Sequence, residues 1–181
     1  MLLNSWHPSW LDRFFMLYTH AGNGWFAVIL SLLFYFVFRR HKLGLVLLFA
    51  YALTGIAAQV IKPLVEAPRP GSYFSAKLPF FMDAIQHRGL NSFPSGHTVT
   101  AFAIAGVLAY YTQQKWHHLF LILLAVLAGY SRIYLSQHFL ADVMAGSLIG
   151  VVGAGLCEYW FSKVQEEKLA WPRRKKVDPF D

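Results

Sequence analysis

Leu43–Ile61, LGLVLLFAYALTGIAAQVI, runs nineteen residues without a charged side chain. A helix rises 1.5 Å per residue, so a run of this length nearly crosses the ~30 Å hydrocarbon core of a bilayer. Four more apolar runs share this character: Gly24–Phe38, Thr98–Thr112, Leu119–Tyr134 and Phe139–Phe161. Gly24–Phe38 and Thr98–Thr112 are short and are expected to extend by a turn into the interface. The whole chain of 181 residues agrees: 56% is hydrophobic and 14% charged. Soluble domains carry about 25% charged residues. Mean hydropathy is +0.42. These values argue against a water-soluble enzyme, and against a disordered or fibrous chain. The expected fold is all-α: a polytopic membrane bundle of about five transmembrane helices.

Before the first run, Trp10, Phe14, Leu17 and Tyr18 alternate with Asp12 and Arg13 at helical spacing. This predicts a short amphipathic helix lying at the interface. The alternative is that it contributes to a sixth span. No cleavable signal peptide is expected, because Met1–Pro8 lacks a basic region followed by an apolar stretch. Residues 1–165 are read as a single membrane-embedded domain and 166–181 as a basic cytoplasmic tail. Cys157 is the only cysteine, which excludes an internal disulfide and any multi-cysteine metal cluster.

Net charge is +7, which in so apolar a chain points to anionic lipid rather than nucleic acid. The connections alternate sides. One face holds Arg39, Arg40, Lys42, Lys115, Lys163, Lys168, Arg173, Arg174, Lys175 and Lys176; the other holds Arg13, Lys62, Arg69, Lys77, Arg88 and Arg132. The excess of positive charge places the first face, and the C-terminus, in the cytoplasm. The second face then looks to the periplasm or the extracellular side, from a cell inner membrane.

That second face carries residues that are costly beside apolar spans: Lys62, Arg69, His97, Arg132, His138 and Asp142. A charge at a helix centre costs about 2.5–3.5 kcal/mol on insertion scales, so a cluster needs a reason. Pro94 keeps the preceding chain out of the helical region, Ser95 suits an N-cap, and Gly96 lets a ligand approach the backbone. Free N–H groups at a helix start bind anions. His138 and Asp142, four apart, share a helix face within hydrogen-bonding reach. Lys62, Arg69 and Arg132 bring three positive charges, which suit the equatorial oxygens of a phosphoryl group. Chemistry at this level leaves open which histidine would attack.

Taken in order, Lys62-x6-Arg69-Pro70, Pro94-Ser95-Gly96-His97 and Ser131-Arg132-x5-His138-x3-Asp142 resemble the three-part motif of the type-2 phosphatidic acid phosphatases. These are also called lipid phosphate phosphatases, and the match departs from their pattern at no position. The resemblance implies a metal-independent, cofactor-free membrane phosphatase of helical-bundle fold, of a bacterial kind. It implies His138 as nucleophile, Asp142 as its orienting carboxylate and His97 as general acid. Lys62, Arg69, Ser95, Gly96 and Arg132 would bind phosphate, with no metal ligand.

The expected activity is hydrolysis of a membrane lipid phosphate or diphosphate on the outer face, through a phosphohistidine. Undecaprenyl diphosphate, phosphatidylglycerol phosphate, phosphatidic acid and a lipid A phosphate are the candidates. The expected partners are that lipid and the bilayer, without nucleic acid or an obligate protein partner. The alternatives are a phosphotransferase with a lipid or sugar acceptor, and a head-group binder or transporter without catalysis. Other features read plainly. Glu66 is expected to bridge Lys62 or Arg69. His20, His41, His87, His117 and His118 are ordinary packed or interfacial residues. Gly146 and Gly150 serve internal helix packing. The loop Gly71–Gly89, with Phe74, Phe80, Phe81 and Met82, caps the site or touches lipid.

Overall fold

The computed structural model describes residues 7–74 and 89–174. The basic tail after Arg174 and most of the Gly71–Gly89 loop, with Phe80, Phe81 and Met82, lie outside the described residues. Seven α-helices follow in order: α1 Ser9–Tyr18, α2 Gly24–Leu32, α3 His41–Val65, α4 Pro70–Phe74, α5 Gly96–Tyr110, α6 Lys115–Tyr134 and α7 Leu140–Arg174. A 3₁₀ turn, Thr19–Gly22, joins α1 to α2, and a π turn, Leu33–Val37, extends α2. Among the described residues there is no strand.

Among the described residues, three segments are long and apolar enough to cross a membrane: His41–Ser72, Lys115–Tyr134 and Leu140–Val164. The pair Ser9–Gly22 and Gly24–Val37 passes the same test jointly, with a bend of 58° at its break. The fifth apolar helix, Gly96–Tyr110, is shorter. The five runs read from sequence therefore all fall on helices. The amphipathic segment is thus joined to the first apolar run across a sharp bend, the geometry of a broken span or of a re-entrant pair.

The helix surface is apolar and the interior is fine-grained. Ile29, Ile56, Leu64, Met144 and Leu148 are exposed, while Ala103, Val107, Ala128, Ala154, Ser31, Thr54, Ser131 and Thr98 are buried. Lipid tails are as apolar as leucine, so helices gain by close approach of small residues and by satisfied hydroxyls. Ser31 and Thr54 each donate to the carbonyl four residues back, Ala27 and Ala50, at 2.7 Å. Helix α5 is the central rod, packed by α3, α6 and α7. Gly146 and Gly150 bring α7 onto it. A Cβ at Gly146 would stand 2.8 Å from the Ser95 carbonyl oxygen, and one at Gly150 2.6 Å from that of Val99. This internal contact is the small-residue packing read from the sequence.

Helix α1 turns Trp10 and Leu17 outward, 63% and 73% exposed, and buries Phe15. The Phe15 ring sits against Tyr130 and Tyr134 of α6, with centroids 5.4 Å and 4.5 Å away. The Tyr134 hydroxyl donates to Asp12 at 2.5 Å, and that of Tyr18 to the Leu124 carbonyl at 2.9 Å. The amphipathic face thus meets lipid, while its opposite face docks on α6.

Glu66 differs from expectation. It ends α3 in a left-handed conformation, φ 48°, with its N–H on the Lys62 carbonyl at 3.0 Å. Among the described residues it makes no ion pair with Lys62 or Arg69. Its side chain is exposed.

Candidate active site

Helix ends supply every residue of the site. Lys62 stands in the last turn of α3, and Arg69 just before α4. Ser95 caps α5, with Gly96 and His97 in its first turn. Arg132 is in the last turn of α6, His138 in the following connection and Asp142 in the first turn of α7. All these ends fall on one side of the bundle and converge. Lys62 lies within electrostatic reach of Arg69, Arg132 and Asp142. His97 lies within reach of Arg132, His138 and Lys62.

The α6–α7 connection is a tight reversal. Ser136 takes a left-handed conformation, φ 49°. The N–H groups of Gln137 and His138 both donate to the Arg132 carbonyl, at 2.9 Å and 3.2 Å. This sets the His138 ring beside the first turn of α7. Its Nδ1 lies 3.3 Å from Asp142 Oδ2, with both side chains buried. The same carboxylate oxygen accepts the Phe139 N–H at 2.9 Å and the Ser92 hydroxyl at 2.5 Å. A carboxylate on Nδ1 selects the tautomer whose lone pair is on Nε2. Burial pushes the His138 imidazole down to about 4, with Arg132 and Arg69 adding to the shift and Asp142 opposing it. The ring is therefore neutral near pH 7.

The cations differ in how they are held. Arg69 is half-buried and ties the loops together, donating to the carbonyls of Gln137 at 3.2 Å and Asn91 at 3.3 Å. The strands of chain it joins are also pinned by backbone bonds, Arg69 N–H to Gly89 and Ser92 N–H to Ala67, at 3.1 Å and 2.9 Å. Arg132 is only 5% exposed, and its Nε has no partner. A buried guanidinium N–H left unmatched costs free energy unless a ligand accepts it.

Gly96 and His97, with Lys62, line one end of a cavity of about 550 Å³. A Cβ at Gly96 would meet nothing within 4 Å, so a ligand has room against the backbone. The cavity continues along α3 past Gly55, Ile56 and Val60. Ile56 and Val60 are also exposed on the bundle surface. The opening is thus polar at one end and apolar where it meets the lipid-facing side.

Ser95 stands apart from the other expected ligands. Its hydroxyl is fully buried in the cap, accepting from the Thr98 hydroxyl at 2.9 Å and the Thr98 N–H at 3.5 Å. Its own N–H donates to the Asp142 carbonyl at 3.0 Å. These bonds start α5 and fix it to α7; they use the lone pairs of the hydroxyl and leave its proton as a donor.

Sequence reasoning passed over three residues. Ser92 holds Asp142, and its only signal was nearness to the Pro94–His97 block. Thr19 accepts from Arg132 with no sequence signal at all. His20, read as ordinary, lies within electrostatic reach of His97.

Comparison with known proteins gives a consistent result. The family model described as the PAP2 superfamily matches residues 43–166. The chain is 28% identical over 178 residues to phosphatidylglycerophosphatase B of Bacillus subtilis, covering 92% of this chain and 80% of that one. It is 29% identical over 164 residues to the lipid A 4'-phosphatase of Bacteroides thetaiotaomicron, covering 86% and 72%. The crystal structure of Aquifex aeolicus LpxE superposes with a TM-score of 0.66 at 30% identity, covering 87% of this chain and 91% of that one.

Proposed function

The chain belongs to the PAP2 superfamily and is a membrane lipid phosphatase, and from that premise we propose a phosphohistidine mechanism in the cradle formed by α3, α5, α6 and α7. The observation that carries this reading is the buried His138–Asp142 pair beside a buried arginine whose Nε is unmatched. Neutral His138 attacks phosphorus through Nε2, in line with the leaving oxygen. Asp142 holds Nδ1–H and stabilises the cation that develops. Lys62, Arg69, Arg132 and the N–H groups of Gly96 and His97 take the phosphoryl oxygens. Burial, Arg132 and the other nearby cations hold the His97 imidazole down at about 3, so it takes up its proton together with the anionic substrate, whose charge offsets those cations, and gives it to the leaving oxygen as the P–O bond breaks. The same group then takes a proton from water, which attacks the phosphohistidine, releases inorganic phosphate and restores His138. Acid–base catalysis of this kind is worth about 10²–10⁴-fold.

A lipid rather than a soluble ester fits the cavity. Its polar end holds Lys62 and His97, and its apolar end opens beside Ile56 and Val60. A lipid phosphate then enters sideways, with its tail against α3. The charge asymmetry supports a reading in which this end of the bundle faces outward from the inner membrane and the opposite, basic end faces the cytoplasm. An outward site fits undecaprenyl diphosphate or lipid A, and phosphatidylglycerol phosphate and phosphatidic acid share the chemistry.

The test is a phosphate-release panel on purified protein in detergent, with these four lipids and a short soluble phosphomonoester. Lipid turnover well above the soluble ester is expected, with inhibition by vanadate and none by EDTA. Phosphate appearing on an added lipid or sugar acceptor instead of in solution would move the reading to phosphotransfer. Binding of all four lipids without turnover would reduce the site to a head-group receptor.

A further inference from the structure

The buried guanidinium of Arg132 has a partner far away in sequence. One terminal nitrogen donates to the Thr19 hydroxyl at 2.6 Å, across 113 positions. Thr19 is 7% exposed and lies in the 3₁₀ turn between α1 and α2. The same turn touches a second site residue. Gly22 presses on His97 so closely that a Cβ would stand 2.7 Å from the His97 carbonyl oxygen and 2.9 Å from its Cβ. Both contacts come from residues before the stretch 43–166 that matches the family. The turn is held in place by α1, through Asp12 on Tyr134 and Tyr18 on the Leu124 carbonyl.

A guanidinium is a planar fork, and its usefulness to a phosphoryl group depends on how the plane is turned. Arg132 ends a helix and has four rotatable side-chain bonds. A fixed acceptor on one terminal nitrogen removes that freedom. It leaves Nε, which has no protein partner, for the ligand.

We propose that Thr19 is a positioning residue for the phosphate site: its hydroxyl, held by the docked α1 helix, sets the guanidinium plane of Arg132 so that its remaining N–H groups meet the phosphoryl oxygens. This rests on the phosphatase reading above. Thr19 touches Arg132 and not the substrate, so its loss acts through the arginine. A misaligned fork weakens anion binding in the ground and transition states alike.

Thr19→Val removes the hydroxyl and keeps the shape; Thr19→Ser keeps the hydroxyl. Wild type and both variants are compared in detergent for kcat, KM, vanadate inhibition and the rise in thermal midpoint on adding vanadate. Thr19→Val is expected to weaken vanadate inhibition about tenfold and to lower kcat/KM about tenfold, equivalent to about 1.4 kcal/mol. Its vanadate-induced rise should shrink. Thr19→Ser is expected within twofold of wild type on every measure. Thr19→Val with vanadate inhibition and kcat/KM both within twofold of wild type would overturn the proposal. If Thr19→Val does not fold, Thr19→Ala is read by the same criteria. Loss of folding in both, with Thr19→Ser intact, would make the hydroxyl a purely structural group and also overturn it. A wild type that neither releases phosphate nor responds to vanadate would instead sink the phosphatase reading, and this proposal with it.

Discussion

The two ends of the helical bundle carry the same kinds of charge in opposite settings. At the basic end, Arg39, Arg40, Lys42 and Lys115 border the apolar helices, and Arg39, Arg40 and Lys115 are exposed there. At the site end, Arg132, His138 and Asp142 are 5%, 4% and 3% exposed. Water and lipid head groups solvate the first set, so its positions need only be near the interface. The second set has lost most of its water. It must be solvated by its own members and by a ligand, so each position and each rotamer matters. Charge of the first kind orients a chain, and charge of the second kind makes a site.

Breaking the site end at its proposed nucleophile is expected to have the largest effect. His138→Ala should lower kcat for lipid phosphate release about 10³-fold or more, since removing a nucleophile removes the step it performs. Full activity in this variant would end the mechanism. Asp142→Asn keeps the shape but loses the charge on Nδ1. A loss of about 10²–10³-fold in kcat is expected, because the wrong tautomer is then favoured. Arg132→Lys keeps the charge but loses the fork, and should cost about 10- to 100-fold in kcat/KM with weaker vanadate inhibition. A lysine that serves equally well would show that only charge is needed there.

Proton uptake separates the ends more finely. His138 is held at about 4 in the fold, below its ordinary 6.5. Between these values the unfolded chain binds the proton and the folded one does not. The part of stability linked to this residue is therefore complete above 6.5 and is lost as pH falls towards 4. In His138→Gln the thermal midpoint should fall less steeply over that window than in wild type. Two equal slopes would contradict a buried neutral imidazole. The smallest effect belongs to the basic end. Arg39→Gln with Arg40→Gln should leave kcat/KM for lipid in detergent within twofold, and a larger loss would mean that the two ends are coupled.

Much of the bundle was legible because membrane helices announce themselves by continuous apolar length. Leu43–Ile61 needed no partner to be read, and it lies within α3, His41–Val65. The His138–Asp142 pair was also legible, since four residues is one helical turn and both sit at the mouth of α7. Ser95 was legible as the N-cap of α5 from the sequence around it, and its expected part in holding phosphate rests on the hydroxyl proton, which the cap bonds do not use. Glu66 was misread, because a charge between two opposite charges looks like a bridge, whereas here it ends α3 in a left-handed conformation, exposed and without that ion pair. Thr19 was invisible and Ser92 was marked only by its nearness to the Pro94–His97 block, since each acts on a residue far off in sequence, 113 and 50 positions away.

The sequence by itself determined that the chain is a set of apolar helices suited to a bilayer, which ends of them carry charge, and which residue types gather on one face. These follow from transfer free energy and helical periodicity, which act locally. Tertiary structure alone decided which of those residues touch. It bent the chain between α1 and α2, where Thr19 reaches Arg132, and it brought the Ser92 hydroxyl onto Asp142. Such contacts depend on how helices cross and how connections reverse, through hydrogen bonds of a few ångströms that no spacing along one chain can encode.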